Sequence, residues 1–444
     1  MAGLELDWLG LFSQLRPMGH RPRQAERFSS CSLIERPMFT YRKTSPLKLL
    51  HVIGDSRFGG AGRIILRLGQ VTQAEGWDVD ILTTDPVFQQ AVRQHGLGLA
   101  NWDVVRREIR PLWDLAGLVR LRNFLRREHY DIVHTHTSKG GFVGRLAARL
   151  ANVPVIVHTA HGFAFHERSP RSTRFFYSAL ERIAARWCDR IVSVSEFHRR
   201  WALELGICKS PEILAIPNGI AALPNPTVSA AQLRRQLGAT DRDMVILSMA
   251  RLAPDKGLEF LITAAAILLR TERQFRIVIA GDGPVRAQLE ALTRNLGVAD
   301  RVNFIGFRED VSDLLAACDL VVLPSLREGL SIALLEAMAA GKPIIATSIG
   351  SHRELASQAE IARLVPPADA GALCEAILQL WRDPALRTRL GATARTLFES
   401  YYSEERMLNS YKQLYFDLVR AKGLVEACVN GRAAMPEALR AGEP

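Results

Sequence analysis

Apolar and polar positions alternate along the chain in blocks that are typical of strands covered by helices. Short apolar runs, such as 320–323, are bounded by turn residues and followed by segments with apolar residues at helical spacing. Because strands that alternate with helices build parallel sheets, the pattern predicts an α/β fold. The predicted strands are 47–53, 78–83, 132–136, 155–159, 190–195, 213–216, 244–249, 275–280, 302–305, 320–323, 344–348 and 361–365. The predicted helices are 63–75, 112–128, 141–151, 173–187, 196–205, 257–269, 285–296, 311–317, 332–340, 370–381 and 403–420.

A turn-rich stretch near the middle of the chain interrupts this rhythm and predicts a domain boundary. Pro217, Asn218 and Gly219 open it, and it continues to Pro226. A chain of 444 residues is long for one core, which favours two domains. We expect two Rossmann-like domains that face each other across a deep cleft, with a final helix that crosses back to the first. The expected boundaries are domains at 47–218 and 227–402, a linker at 219–226 and the crossover helix at 403–420.

The two ends of the chain carry no clear apolar period. We expect residues 1–46 to be a tail, disordered or part of an over-called start, because Met38 closely precedes the first strand. A short amphipathic surface anchor is the alternative. Residues 421–444 are rich in Gly, Ala, Pro and Glu, which predicts a frayed tail.

Composition narrows the class of partner and the compartment. The net charge of +11 is compatible with nucleic acid, an anionic membrane surface or anionic substrates. No aromatic and basic platform or recognition motif is present, so a nucleic-acid partner is not expected. No apolar run approaches the roughly 20 residues that span a bilayer. The six cysteines are scattered without C-x-x-C pairs, which indicates neither a zinc site nor a disulfide framework and predicts a cytoplasmic protein.

The segment 327–341 carries the strongest chemical signal. It follows a predicted strand, and Ser331 is a good N-cap for a helix that Gly341 ends. The turn Gly329–Leu330–Ser331 therefore offers free N–H groups and the positive end of a helix dipole to an anion. Glu328 in this turn suits a hydroxyl or a developing positive charge better than the anion, and Glu336 lies inside the helix. Two glutamates at this spacing also occur by chance.

Other candidate residues follow strands of the second half. Arg251 and Lys256 come after the first of these strands, at the edge where open α/β sheets bind ligands, so they are placed to meet an anion. Solvated loop charges are the alternative. Gly281, Gly283 and Phe307 also follow strands, where a base or ribose could lie on the backbone. An ordinary strand-to-helix turn explains these glycines almost as well.

The first half contributes a glycine turn and several histidines. Gly60 lies in a Gly59–Gly62 turn that resembles a phosphate loop without being G-x-G-x-x-G, so dinucleotide binding is weakly supported. His161, before a glycine, is the best candidate to touch a substrate in the cleft. His134 and His136 are expected to pack or to fix a loop. No carboxylate or cysteine is spaced to complete a zinc site with them, so we expect no metal.

Arginines are concentrated in the first half. The predicted helix 112–128 has an apolar face, so one reading is an amphipathic helix with solvated charges. The residues of that face are Trp113, Leu115, Leu118, Leu121 and Leu125. The other reading is a membrane-facing basic surface for a lipid-linked acceptor. Each basic group near anionic lipid would contribute about 1 kcal/mol to membrane binding. The arginines are 106, 107, 110, 120, 122, 126 and 127, with eight more between 168 and 200.

These motifs together resemble one family over about residues 47–420. The chain is similar to the GT4-type retaining glycosyltransferases of the GT-B fold, and the stretches 134–145 and 158–166 are similar to enzymes that build bacterial capsules, exopolysaccharides and O-antigens on lipid carriers. One departure is that residues 328–331 read Glu-Gly-Leu-Ser where many relatives have Glu-Ser-Phe-Gly. The motifs that carry the resemblance are Gly59-Gly60, His161-Gly162, Arg251 with Lys256-Gly257, 281–284 and 328–336.

The resemblance implies a role for each candidate residue. Arg251 and Lys256 would neutralise the donor diphosphate, and Glu336 would hold the ribose hydroxyls. Glu328 and His161 would contact the donor sugar, and Gly60 would lie by the phosphates or the acceptor. The first domain would bind the acceptor and the second the nucleotide-sugar.

The implied reaction moves a hexose from a nucleotide-sugar, expected to be a UDP-sugar, to a hydroxyl of a lipid-linked or other glycan acceptor, with retained configuration. No cofactor or metal is expected. The implied location is the inner face of the cytoplasmic membrane. A nucleotide-sugar 2-epimerase, a phosphorylase, or a non-catalytic binder of nucleotides or polysaccharide are the alternatives.

Overall fold

The computed structural model describes residues 46–54, 58–100 and 111–425, with the side chains of 111–114 excepted. The expectations for residues 1–45 and for the chain beyond residue 425 lie outside this part, as do those for arginines 106, 107 and 110.

Two parallel sheets, each covered by helices, organise the described chain, so the predicted α/β class is confirmed. The first sheet has seven strands in the order β3-β2-β1-β4-β5-β6-β7. Its strands are β1 (Lys48–Gly54), β2 (Asp78–Thr83), β3 (Gly98–Leu99), β4 (Ile132–His136), β5 (Val155–Ala160), β6 (Arg190–Ser193) and β7 (Ile213–Ala215).

The second sheet has six strands in the order β10-β9-β8-β11-β12-β13. In both sheets the strand order reverses beside the first strand, and open α/β sheets bind ligands in the crevice outside that reversal. The strands are β8 (Met244–Met249), β9 (Phe275–Ala280), β10 (Val302–Gly306), β11 (Leu320–Leu323), β12 (Ile344–Thr347) and β13 (Arg363–Val365).

The central strands are buried on both faces because helices cover both sides of each sheet. Every residue of β4, β5, β8 and β11 is buried, which fits the continuous apolar run of β11 and the nearly continuous one of β8. Strands β4 and β5 also bury histidines and threonines, so their burial does not follow from an apolar sequence alone. The first-domain helices are α1 (Gly60–Ala74), α2 (Pro86–Gln94), α3 (Pro111–Glu128), α4 (Ser138–Leu150), α5 (Arg171–Ala185) and α6 (Glu196–Glu204). The later helices are α7 (Ala230–Gln236), α8 (Leu258–Leu268), α9 (Arg286–Asn295), α10 (Val311–Ala317), α11 (Ile332–Ala339), α12 (Gly350–Gln358), α13 (Ala370–Arg382), α14 (Pro384–Tyr401) and α15 (Glu404–Ala421).

The last helix, α15, packs against the first domain, as predicted. The Tyr415 hydroxyl hydrogen bonds to Nδ1 of His134 at 2.5 Å, and the Tyr411 hydroxyl lies 3.1 Å from Oγ1 of Thr159. At the start of α15, Glu404 accepts two hydrogen bonds from the Arg67 guanidinium. None of the described helices combines the length and the apolarity that crossing a bilayer requires.

Five elements were missed by the sequence prediction. Strand β3 has two residues, and helices α7 and α12 are short and largely polar, so they give little apolar pattern. Helices α2 and α14 do carry buried apolar residues at helical spacing, so their pattern was present and overlooked. The missed elements are strand β3 and helices α2, α7, α12 and α14.

Candidate active site

A cleft of about 2100 Å³ lies between the two sheets, and both domains line it. Eleven of the twelve site residues predicted from sequence face this cleft. Gly283 is not among the lining residues. The eleven are Gly60, His161, Arg251, Lys256, Gly281, Phe307, Glu328, Gly329, Leu330, Ser331 and Glu336.

Lys256 and Glu328 form an ion pair in the wall of the cleft. Lys256 ends a 3-10 turn that follows β8, and its Nζ lies 2.6 Å from Oε1 of Glu328. The Ser325 hydroxyl donates a second hydrogen bond, 2.8 Å long, to the same oxygen. Both side chains of the pair are largely buried, at 18% and 12% exposure. The carboxylate therefore fixes the ammonium group at the edge where the second sheet's strands end.

The backbone explains how this pair forms. Gly257 follows Lys256 in a left-handed conformation, with φ of 61°, which favours glycine. A Cβ atom here would lie 2.2 Å from the carbonyl oxygen of Pro324, so only glycine lets the loops after β8 and β11 come together. The two loops carry Lys256 and Glu328, respectively.

Arg251 provides a second cation beside the same loop. Its guanidinium lies 3.6 Å from Oδ1 of Asp255 and is 40% exposed, so the pairing is loose. Arg251 can therefore turn toward an anion in the cleft at little energetic cost, because exposed ion pairs contribute little.

The N-terminus of α11 faces the cleft, as the sequence predicts. The Ser331 hydroxyl caps the helix by accepting a hydrogen bond from the Leu334 amide. Ser331, Ile332 and Ala333 line the cleft at this end. First-turn amides of a helix have no partner within the helix and attract anions, so this end adds to the two cations.

Glu336 lies one turn into α11 and is almost completely buried. Burial raises the pKa of its carboxyl group to about 7, while the nearby Arg63 opposes the rise. The Arg63 guanidinium reaches across from α1, with Nη1 3.3 Å from Oε1 of Glu336. The sequence prediction did not assign Arg63 to the site, and no local signal could have done so, because the two residues are 273 positions apart.

His161 enters the cleft from the first domain, just after β5. Its Nε2 lies 3.2 Å from Nδ1 of His136, and burial lowers the pKa of His161 to about 4. His136 is within the sheet and does not line the cleft. The structure thus separates one cleft-facing histidine from a buried cluster behind it.

One trio of histidines in the described ranges has ring nitrogens that could hold a metal ion, within 4.8 Å of one another: His51, His134 and His136. His51 was missed by the sequence prediction, since it lies alone on β1. Nδ1 of His51 is 3.1 Å from Nε2 of His136, and both nitrogens of His134 bond hydroxyl groups. These hydrogen bonds use most of the nitrogens that would bind a metal, so the donor set fits an internal network better than a metal centre. The expected absence of a metal stays a prediction.

Three of the predicted glycines allow close approaches of the backbone. A Cβ on Gly60 would lie 2.7 Å from Cγ1 of Ile332, in the opposite wall of the cleft. At Gly281 and Gly283 it would lie 1.9 and 2.2 Å from the carbonyl oxygens of Ala250 and Leu252, respectively. The last two glycines therefore let the loop after β9 pack on the loop after β8, which is a packing reason for their presence.

Several contacts that tie the two domains together beside the cleft were not predicted. The carboxylate of Glu354 accepts hydrogen bonds from the Glu196 and Phe197 amides, at 3.0 and 2.7 Å, at the N-terminus of α6. The Asn218 side chain donates to the Leu330 carbonyl oxygen at 2.9 Å. These contacts join residues more than a hundred positions apart, so no local pattern announces them.

Helices α3 and α5 carry exposed apolar side chains on the surface of the first domain. On α3, Leu121 and Leu125 are buried, as an amphipathic helix requires, whereas Leu115 is exposed. On α5, Phe175 and Phe176 are exposed at 75% and 57%, and Phe176 also lines the cleft. An apolar edge therefore runs from the mouth of the cleft onto the surface.

Comparison with known proteins agrees with this geometry. A family model described as "Glycosyl transferases group 1" matches residues 229–397, and one described as "Glycosyl transferase 4-like domain" matches residues 59–219. The UDP-Gal:alpha-D-GlcNAc-diphosphoundecaprenol alpha-1,3-galactosyltransferase of Escherichia coli is 28% identical over 380 residues, covering 84% of this chain and 98% of the relative.

Two further relatives support the same assignment. EpsD of Bacillus subtilis (strain 168), a glycosyltransferase by name, is 32% identical over 307 residues, which cover 68% of this chain and 80% of EpsD. The crystal structure of Anabaena Alr3699/HepE in complex with UDP and glucose matches the fold with a TM-score of 0.72 at 22% identity, over 84% of this chain and 100% of that one. The chain therefore belongs to the GT4-type family of glycosyltransferases on the GT-B fold, and it is a sugar-transferring enzyme.

Proposed function

We propose that the chain transfers a hexose from a UDP-sugar to a hydroxyl of a lipid-linked glycan, with retention of the anomeric configuration, in the synthesis of a cell-surface polysaccharide. The proposal of a UDP-sugar donor is supported by one observation, the arrangement of Lys256, Arg251 and the N-terminus of α11 around one cleft. A leaving diphosphate needs stabilisation of its developing charge, and two cations with a helix end supply it without a metal. The name of the Escherichia coli relative includes UDP-Gal and a diphosphoundecaprenol-linked acceptor, which supports both halves.

The remaining donor contacts follow from the same cleft. We assign Glu336, whose side chain lines the cleft, to the ribose hydroxyls, and the exposed ring of Phe307 to the base. Because Oε1 of Glu328 already accepts from Lys256 and Ser325, we assign Glu328 to positioning Lys256 and to contact with the sugar. It is not assigned as a nucleophile.

In the proposed reaction, the acceptor oxygen forms a bond to the anomeric carbon while the bond from that carbon to the diphosphate oxygen breaks. The acceptor's proton passes to the leaving diphosphate, on the same face of the sugar. Lys256 and Arg251 then hold the released nucleoside diphosphate. Atoms and charge balance without a cofactor.

The donor is tested by thermal unfolding with UDP, GDP, ADP or NAD in the presence of EDTA. A ligand at about 100 times its Kd adds roughly 2.7 kcal/mol to the free energy of unfolding, so a bound nucleotide raises the Tm measurably. A rise with UDP that survives EDTA supports the proposal. A rise with GDP or ADP alone would change the donor, and a UDP response that disappears with EDTA would overturn metal independence.

The surface of helix α5 supports the proposal that the acceptor is lipid-linked. Exposed apolar side chains rarely collect beside a cleft without a partner, and Phe175 and Phe176 are accompanied by Arg171 and Arg174 on the same helix. Aromatic rings inserted at the interface, with arginines attracted to anionic headgroups, would hold the cleft mouth against the inner face of the cytoplasmic membrane. A lipid-linked acceptor could then enter the cleft without leaving the bilayer.

Co-sedimentation with vesicles tests this surface. Wild-type protein is expected to bind vesicles that contain anionic lipid more strongly than zwitterionic ones. Phe175→Ser with Phe176→Ser should weaken vesicle binding at least about tenfold, because the two exposed rings that would insert into the lipid are lost. Tyr401→Ser, at another exposed aromatic residue, is the matched control. Equal binding by all three proteins would rule out α5 as the docking helix.

A further inference from the structure

The three histidines His51, His136 and His161 form a hydrogen-bonded chain that runs from inside the first sheet to the cleft. His51 lies on β1, His136 on β4 and His161 just after β5, and these three strands are neighbours in the sheet. Nδ1 of His51 lies 3.1 Å from Nε2 of His136, and Nδ1 of His136 lies 3.2 Å from Nε2 of His161. The rings of His136 and His161 are stacked, with centroids 5.4 Å apart.

All three rings are neutral near neutral pH. Burial lowers the pKa of His51 to about 3 and that of His161 to about 4, and it lowers the pKa of His136 in the same direction. A neutral imidazole carries one proton, so one nitrogen donates and the other accepts.

Proton counting leaves two arrangements, because the middle ring must donate to one neighbour and accept from the other. In the first, His51 donates to His136, His136 donates to Nε2 of His161, and Nδ1, the remaining nitrogen of this cleft-lining residue, carries the proton. In the second, every bond runs the opposite way, and Nδ1 of His161 presents a lone pair. In either arrangement, both hydrogen bonds among the three histidines run in the same direction.

The buried end of the chain distinguishes the two arrangements. Nε2 of His51 is buried and has no hydrogen-bond partner among the described residues. The first arrangement leaves only a lone pair unpaired there, whereas the second leaves an N–H group unpaired. Buried N–H groups without a partner are rarer than acceptors without one, so the first arrangement is favoured.

We propose that His136, supported by His51, is a positioning residue that holds His161 in the tautomer whose Nδ1–H points into the cleft, as a neutral donor for an oxygen of the donor sugar. The inference rests on the proposed donor site. In this tautomer His161 cannot remove the acceptor's proton, because its other nitrogen already accepts from His136. The acceptor's proton must therefore go elsewhere, as the proposed transfer to the leaving diphosphate requires.

The neighbouring His134 supplies a matched control. It lies on the same strand as His136 and is equally buried, but its nitrogens bond Tyr415 and Thr159 and do not join the chain. His134→Leu therefore removes a buried histidine of the same sheet face without interrupting the chain to His161.

The tautomer is measured directly by NMR of protein labelled with 15N-histidine, with the His161 signals assigned by their loss in His161→Gln. Wild type, His134→Leu and His136→Asn are expected to carry the His161 proton on Nδ1. Asparagine can keep a donor near the position of the His136 Nδ1, whereas His136→Leu cannot. In His136→Leu the His161 ring loses its anchor, so its two nitrogen signals should converge as the tautomers exchange.

Transfer activity provides the second measurement. Losing one hydrogen bond that orients His161 should lower kcat/KM about tenfold in His136→Leu. His136→Asn should recover most of this loss. A wild-type proton on Nε2 would overturn the inference, as would equal losses in His134→Leu and His136→Leu, or stoichiometric metal in protein purified without chelator. The NMR result does not depend on the donor, so it separates this inference from the proposed function.

Discussion

Replacing Lys256 with alanine tests the centre of the proposed donor site. The ammonium group lies 2.6 Å from Glu328 and is 18% exposed, so solvent screens it only in part. Two unit charges about 4 Å apart at an effective dielectric constant of about 20 interact by about 4 kcal/mol. The variant would lose this attraction for the diphosphate and would leave Glu328 with Ser325 as its remaining side-chain partner among the described residues.

We therefore expect Lys256→Ala to weaken UDP binding about 100-fold and to slow sugar transfer by about 10²–10³, the range found when one electrostatic donor is removed from an active site. Isothermal titration calorimetry measures UDP binding, and release of UDP measures transfer. Lys422→Ala is the control, because Lys422 forms a 2.7 Å ion pair with Asp189 on the surface. Such exposed pairs contribute about 0–1 kcal/mol, so both measurements should hardly change.

A double variant separates two explanations for a loss of UDP binding in Lys256→Ala. If Lys256 contacts the diphosphate, Lys256→Ala with Glu328→Gln should still bind UDP weakly. If Lys256 only neutralises Glu328, removing the carboxylate charge as well should restore binding. Near-normal UDP affinity and transfer in Lys256→Ala alone would refute the assignment of this residue to the donor site.

Two further outcomes are expected. Because burial raises the pKa of Glu336 to about 7 and the ribose hydroxyls favour its carboxylate, UDP affinity should fall as pH decreases from 8 to 6, approaching about tenfold per pH unit below the pKa. Titration calorimetry should show this dependence disappear in Glu336→Gln, and an unchanged slope there would assign it to another group. Gly329→Ala would put a Cβ 2.0 Å from the His161 carbonyl oxygen. We therefore expect the variant to lower the free energy of unfolding, measured by thermal unfolding, by about 1–3 kcal/mol and to slow sugar transfer. Gly371→Ala, where the nearest atom is 3.4 Å away, should cost nothing, and equal losses in the two variants would contradict the proposed close contact.

Most strands were predictable because they are short and largely apolar segments that alternate with segments of helical spacing. Strands β2, β4, β8, β9 and β11 have the predicted boundaries. Helix α12 was missed because it begins at Gly350, and glycine does not normally mark the start of a helix. The glycine is needed for a contact with a residue far away in sequence, since a Cβ there would lie 2.2 Å from the ring of Phe197.

Some residues of the site could be predicted from local sequence patterns, and others depend on contacts with residues far away in sequence. Lys256, Glu328 and Ser331 could be found because they stand at strand ends and at a helix start, where the sequence pattern indicates an anion site. Arg63 and His51 could not be found, because their importance comes from partners on other strands or in the other domain. Gly281 and Gly283 carried a real signal, but it indicates packing between two loops as much as contact with a nucleotide.

The contacts that join the domains lie beside the groups proposed for catalysis, so the geometry of the site depends on the approach of the two domains. Gly329 lies against the His161 backbone, and Asn218 bonds the Leu330 carbonyl oxygen in the same turn. Each wall of the cleft therefore positions part of the other. A substitution that separates the domains by a few tenths of an ångström would move His161 away from Lys256 and Glu328 together. For this reason small residues in the turn can matter for transfer as much as the charged residues do.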